Sequence, residues 1–135
     1  MNEYKTLSDC KYLLQYHLVW CPNFRYNVLK GNVEDSLERI LSEICTKYEY
    51  EIIELEVMPD HLHIFISANP TIAPTDIVRT LKNISSIQLF KEFPTLKEFY
   101  SRCGSLWSKD YFVSTMGKVS AETVQRYIQE QKSNE

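Results

Sequence analysis

Residues 11 to 20 alternate, with Tyr12, Leu14, Tyr16, Leu18 and Trp20 on one side and Leu13, Gln15, His17 and Val19 on the other. Their aromatic and β-branched content makes the segment a strand. Pro22-Asn23 opens a loop. From Asn32 the period becomes helical, through Val33, Leu37, Ile40, Leu41, Ile44, Cys45 and Tyr48, with Asn32 as N-cap and Asp35 in the first turn. Glu51 to Met58 alternates again, Ile53, Leu55 and Val57 inward and Glu54 and Glu56 opposite, and Pro59-Asp60 turns the chain into a second strand, His61 to Ala68. After Pro70 and Pro74 a helix carries Ile77, Leu81, Ile84 and Gln88 and stops before Pro94. Residues 95 to 106 read as irregular or weakly helical. Tyr111 to Met116 is a short strand, Gly117-Lys118 a flexible joint, and Ser120 caps a last helix through Val124, Tyr127, Ile128 and Gln131. The order predicts an α+β, ferredoxin-like split βαβ sandwich. Its antiparallel sheet would have four to five strands, with helices on one face and an appended C-terminal helix, about 119–133, carrying Tyr127.

Composition narrows the class. The chain has 135 residues, 44% hydrophobic and 24% charged, as expected of one globular domain spanning 1–135. No apolar run approaches the length of a membrane span and no leader pattern opens the chain, so a cytoplasmic protein without a membrane partner is expected. Cys10, Cys21, Cys45 and Cys103 lie far apart without a CxxC pair, which predicts reduced, mostly buried thiols. Fifteen Lys+Arg against 18 Asp+Glu give a net charge of −3, which argues against a general polyanion binder. That sum hides segregation. Residues 34 to 60 hold nine acids and two bases, net −7, whereas residues 79 to 118 hold seven bases and three acids, net +4.

The chemistry-bearing residues cluster in two places. In Met58-Pro59-Asp60-His61-Leu62-His63-Ile64-Phe65-Ile66, Leu62, Ile64 and Ile66 share one strand face and His61 and His63 the other. Paired imidazoles opposite an apolar face point to metal ligation. His17 is the only other histidine, so either it or another ligand type must complete the site. Glu56, in the neighbouring strand, reads as solvated, with support of a ligating histidine as its alternative role. On the last helix Tyr127 and Gln131 are four apart and share a face. Tyr127 alone would be a packing residue, but Gln125, Arg126, Gln129 and Gln131 make the helix more polar than docking requires. As a nucleophile it needs an activated electrophile, because a phenol titrates near pH 10, and a divalent cation on a phosphoryl oxygen provides one. Gln131 can offer that ion a carbonyl oxygen.

Taken in order, these segments resemble the single-tyrosine, HUH-type transposases of the insertion sequence 200/605 family. The resemblance runs from about Tyr12 to Gln131. It rests on Tyr16-His17-Leu18-Val19-Trp20-Cys21 with Phe24-Arg25, Met58-Pro59-Asp60-His61-Leu62-His63, Leu81-Lys82 with Ser85-Ser86, Leu106-Trp107-Ser108 with Tyr111-Phe112, Gly117-Lys118-Val119 and Tyr127-Ile128-Gln129-Glu130-Gln131. It implies a DNA transposase that cuts and rejoins single strands: His61, His63 and Gln131 holding Mg²⁺ or Mn²⁺, Tyr127 attacking the scissile phosphate to leave a 5′-phosphotyrosine and a free 3′-hydroxyl. It also implies a homodimer that shares its active sites between subunits and recognises hairpins at the ends of the element. Asp110 departs from the pattern, standing where a small residue is expected. Arg25, Arg79, Lys82, Arg102, Lys109 and Lys118 are the candidate phosphate contacts, Lys82 with Ser85-Ser86 as a phosphate cradle, and Tyr111 or Phe112 the candidate base-stacking surfaces. A conjugative relaxase or replication-initiator nuclease would place the tyrosine differently and add domains. An RNA-recognition module would show an aromatic-rich, glycine-containing strand motif, which is absent.

Overall fold

A computed structural model describes residues 5–7, 10–12, 14–115 and 128–130. Its elements in chain order are β1 (Lys5–Leu7), β2 (Cys10–Tyr12), β3 (Gln15–Trp20), α1 (Asn32–Tyr48), β4 (Glu51–Met58), β5 (His61–Ser67), α2 (Pro74–Glu92), α3 (Pro94–Phe99) and β6 (Phe112–Ser114). The four-stranded sheet runs β4-β5-β3-β6, every neighbour antiparallel. This is the ferredoxin-like order that the alternation of elements predicted.

The first strand needs correction. The alternation of residues 11 to 20 belongs to two sheets, because Cys10–Tyr12 pairs with Lys5–Leu7 in a separate hairpin and only Gln15–Trp20 joins the main sheet. A period-2 pattern carries no mark of where a strand changes partner. In β4 the register shifts between Ile52 and Glu54, so Ile52 rather than Ile53 points to the core with Leu55 and Val57, and Ile53 is half exposed.

Helix α1 begins at the expected cap residue itself, one position early. Gly31 is the N-cap, at φ +62°, and Asn32 is already helical; with no side-chain cap, the first turn relies on Glu34 and Asp35 against the helix dipole. Pro74 occupies the first turn of α2, where its missing N–H costs nothing. The Pro94–Phe99 stretch forms a defined short helix, a gain over the weak helicity expected, and buries Leu96.

Leu37, Ile40, Leu41 and Ile44 of α1 and Ile77, Leu81 and Leu89 of α2 cover one face of the sheet, packing on Leu18, Trp20, Leu62, Ile64 and Ile66 in a single cluster. The opposite face holds a smaller cluster of Val19, Cys21 and Ile128, with Phe112 against it. β3 is therefore buried on both sides, His17 included. Residues 128–130 are helical and supply Ile128 to that second face. Among the described residues no helix is long and apolar enough to cross a membrane. Cys21 and Cys45 are buried free thiols and Cys103 is exposed.

Candidate active site

Strand parity does for β5 what the sequence predicts: Leu62, Ile64 and Ile66 enter the core while His61, His63 and Phe65 face the other way. The two imidazole centroids are 5.1 Å apart. Each ring is held at Nδ1. His61 Nδ1 donates to Asp60 Oδ1 at 2.8 Å, and His63 Nδ1 lies 3.0 Å from Nε2 of His17. Nε2 is thus the atom of each ring left to take an ion, and a ring that ligates through Nε2 carries its proton on Nδ1, so ligation by His63 requires that Nδ1–H donate to His17.

His17 comes from β3, directly beside β5, and stacks on His63 at 5.3 Å and on Phe65 at 4.7 Å between centroids. Burial pushes its imidazole below the ordinary value, against the pull of Glu54. Burial, with His61 and His17 alongside, pushes His63 down to about 4, Glu56 opposing. His63 is therefore neutral at physiological pH, the form a metal requires. Glu56 is exposed in β4, opposite His63, so the groups that hold the two rings are Asp60 and His17 instead.

Asp60 is the residue that sequence reasoning treated only as a turn former. Burial alone would raise its carboxyl, but the hydrogen bonds of His61 and Arg25 and the Arg25 charge outweigh it and hold it below the usual carboxylate value. Arg25 donates from Nε to Asp60 Oδ2 at 2.7 Å, with Nη2 also at 2.7 Å, and from Nη1 to the carbonyl of Ile128 at 3.0 Å. Its guanidinium faces this site, where the sequence predicts a phosphate contact. The clue lay in the sequence, in an acid immediately before the paired histidines.

The turn that delivers Arg25 is firmly anchored. Asn23 N–H donates to Leu106 at 2.7 Å, Tyr100 Oη to the Asn23 carbonyl at 3.1 Å, and Ser108 N–H to Cys21 at 3.0 Å. Phe24 and Arg25 both adopt the left-handed conformation, at φ +62° and +53°.

Arg79, Lys82 and Lys109 come together on a groove of about 510 Å³ between α2 and residues 105–111, which Asn83, Ser86 and Trp107 also line. Lys82 Nζ donates to the Ser108 carbonyl at 2.6 Å and to those of Lys109 and Asp110 at 3.5 and 3.3 Å. It holds the groove wall together, and burial lowers its ammonium to about 8 against the raising effect of Asp110. The expected cradle does not form: Ser85 is fully buried and accepts from Trp107 Nε1 at 3.0 Å, leaving Ser86 on the groove. Arg79 is exposed and pairs with Asp76, and Arg102 lines a separate aromatic recess with Phe24, Tyr26 and Phe99. Tyr111 borders the first groove, whereas Phe112 packs against Val19, Cys21 and Ile128. Tyr127, Gln131, Lys118 and the Gly117 joint lie outside the described residues, as does most of the expected helix 119–133. Ile128, next to Tyr127 in the chain, is described, and its carbonyl meets Arg25.

The donor set fits half of a divalent-cation site: two imidazoles, each oriented at Nδ1. Among the described residues no group of three His, Cys, Asp or Glu side chains gathers to complete it.

Comparison with known proteins converges. The family described as "Transposase IS200 like" matches residues 10–131. The ISDra2 transposase TnpA of Deinococcus radiodurans is 40% identical over 124 residues, 92% of this chain and 88% of that protein. The transposase for insertion sequence element IS200 of Salmonella typhimurium is 30% identical over 131 residues, 97% and 85% of the two chains. A crystal structure of a candidate transposase from D. radiodurans R1 superposes with a TM-score of 0.87 at 37% identity, covering 94% of this chain and 97% of that one. A REP-associated tyrosine transposase, bound to a REP hairpin, shares the fold at a TM-score of 0.52 and 16% identity, covering 95% and 68%.

Proposed function

The chain belongs to the IS200-like transposase family, and from that premise we propose that it moves an insertion sequence as single-stranded DNA, using Tyr127 as nucleophile and a metal held by His61, His63 and Gln131. The observation that carries this reading is the pair of β5 imidazoles, each tied at Nδ1, to Asp60 and to His17, with Nε2 left for an ion. A bound Mg²⁺ or Mn²⁺ supplies Lewis acidity at the scissile phosphate. Tyr127 Oη attacks phosphorus, the bond from phosphorus to the 3′ oxygen breaks, and that oxygen leaves as a 3′-hydroxyl while the 5′-phosphate stays on the tyrosine. Attack of a 3′-hydroxyl on the phosphotyrosine restores a phosphodiester, so the two strand exchanges need no nucleotide cofactor.

The substrate in this reading is the folded end of the element, a hairpin with unpaired flanks. The hairpin bound by the REP-associated neighbour supports this partner. Arg79 and Lys109 would meet phosphates along the groove whose wall Lys82 secures, and Lys118 would add a further contact from the joint. The working form is a homodimer whose active sites the Tyr127 helix completes, either within its own chain or across to the partner.

The test is a covalent adduct. With Mg²⁺ or Mn²⁺ and single-stranded DNA carrying an end hairpin, the protein should form an adduct that Tyr127→Phe abolishes while DNA binding persists; an adduct retained by Tyr127→Phe refutes the nucleophile. Mixing Tyr127→Phe with His61→Ala protein should restore cleavage if sites assemble between subunits. Heterodimers that form without restoring it would place each site within one chain.

A further inference from the structure

The turn before α1 carries a local backbone cost. Two consecutive non-glycine residues, Phe24 and Arg25, sit in the left-handed region, each at roughly 1–2 kcal/mol. The chain just before them is tied down, Asn23 to Leu106 and Tyr100 and Cys21 to Ser108. The result is a guanidinium delivered to a single place. Its Nε and Nη2 face Asp60 Oδ2 while its Nη1 reaches the Ile128 carbonyl. The other oxygen of the same carboxylate holds His61. The side chains of Arg25, Asp60 and His61 are only 16%, 19% and 14% exposed, so solvent screens these contacts weakly.

The geometry points to Arg25 and Asp60 as a positioning unit that fixes both halves of the site at once: Asp60 sets the orientation and tautomer of His61, and Arg25, braced on Asp60, docks the backbone of the residue that follows Tyr127. This inference rests on the proposed roles of His61 and Tyr127. Ile128 is the natural handle. Its side chain fills the cluster of Val19, Cys21 and Phe112, which sets how deep the segment lies, and its carbonyl meets Arg25, which sets how far along it sits. A flexible ammonium could not replace the guanidinium, because the two directions, toward the carboxylate and toward the carbonyl, come from one rigid plane. Arg25 is in this account a link between ligand and nucleophile, and the phosphate contacts fall to the groove bases.

Two readouts on the full chain test it: amide hydrogen exchange at residues 128–130 in the protein alone, and the rate of adduct formation on single-stranded hairpin DNA with Mn²⁺. Arg25→Lys should speed exchange at 128–130 and slow the adduct about 10- to 100-fold, the range for loss of a ligand's supporting partner, with the DNA dissociation constant within about threefold of wild type. Asp60→Asn should act in the same direction on both readouts, since its amide cannot accept from His61 and Arg25 together. The combined variant should be no worse than the poorer single variant by more than about twofold, as for groups acting as one unit. Should one variant not fold, the other carries both readouts. Unchanged exchange together with weaker DNA binding and a shallower salt dependence would make Arg25 a phosphate contact and overturn the inference, as would adduct rates within about threefold of wild type in both variants. If wild-type protein forms no adduct, the nucleophile reading fails, while the exchange measurement still decides whether Arg25 docks this segment.

Discussion

The two faces of the central sheet are made by the same strands and are built on different physical terms. On one, Leu18, Trp20, Leu62, Ile64 and Ile66 meet the apolar stripes of α1 and α2 in a continuous apolar core. On the other, His17, His61, His63 and Phe65 stand beside a cluster formed, among the described residues, by Val19, Cys21 and Ile128, with Phe112 against it. The first face holds most of the buried apolar residues among those described. The second can therefore carry imidazoles whose burial is unfavourable and a carboxylate tied to an arginine. Stability and chemistry are separated by the thickness of one strand.

That separation can be attacked from either side. The largest effect should come from the core: Ile64→Ala is expected to lower the free energy of unfolding by about 2–5 kcal/mol in urea titration, and a loss below about 1 kcal/mol would mean the core face does not carry the fold. Alkaline pH should come next. Burial raises the thiols of Cys45 on the core side and Cys21 on the histidine side from 9.0 to about 12. The folded protein keeps protons that the unfolded chain sheds above pH 9, so stability should fall there, by at most about 1.4 kcal/mol per pH unit for each thiol. Lys82 works in the opposite direction. Its folded value of about 8 lies below the ordinary 10.5, so between those values the unfolded chain holds the extra proton and stability gains. Lys82→Met should therefore uncover the thiol-driven decline, and equal pH slopes in Cys21→Ala and Cys45→Ala would show the two faces to be comparably dry.

The smallest effect on folding belongs to His17→Phe. The new ring keeps the stack on Phe65, so stability should change by less than about 1 kcal/mol, yet nothing remains to accept from His63 Nδ1 and adduct formation should drop. A large loss of stability with an unchanged adduct rate would move His17 from the chemistry to the core.

Much of this division was legible along the chain. The helical stripes of α1 and α2 and the parity of His61 to Ile66 are strong periodic signals, and they place the core and the paired histidines correctly. What escaped depends on pairing rather than period. A strand that ends its partnership at residue 12, a bulge beside two adjacent isoleucines, and a histidine on β3 aligned with one on β5 leave no mark in a single segment. Arg25 and Lys82 show the limit for charge. Both are basic and lie among DNA-contact candidates in sequence, but one is bound to Asp60 and a carbonyl and the other to three carbonyls. Residue type reveals a cation; only the fold reveals that its donors are already committed.

The left-handed pair Phe24-Arg25 has a further consequence for the protein's evolution. Glycine at position 24 would adopt φ +62° without the clash a phenylalanine side chain meets, and would offset part of the local cost. It would also free the backbone of the turn, so that the arginine no longer arrives pre-aimed. Selection for thermostability alone should drift toward glycine here, and selection for transposition should hold the strained residue in place.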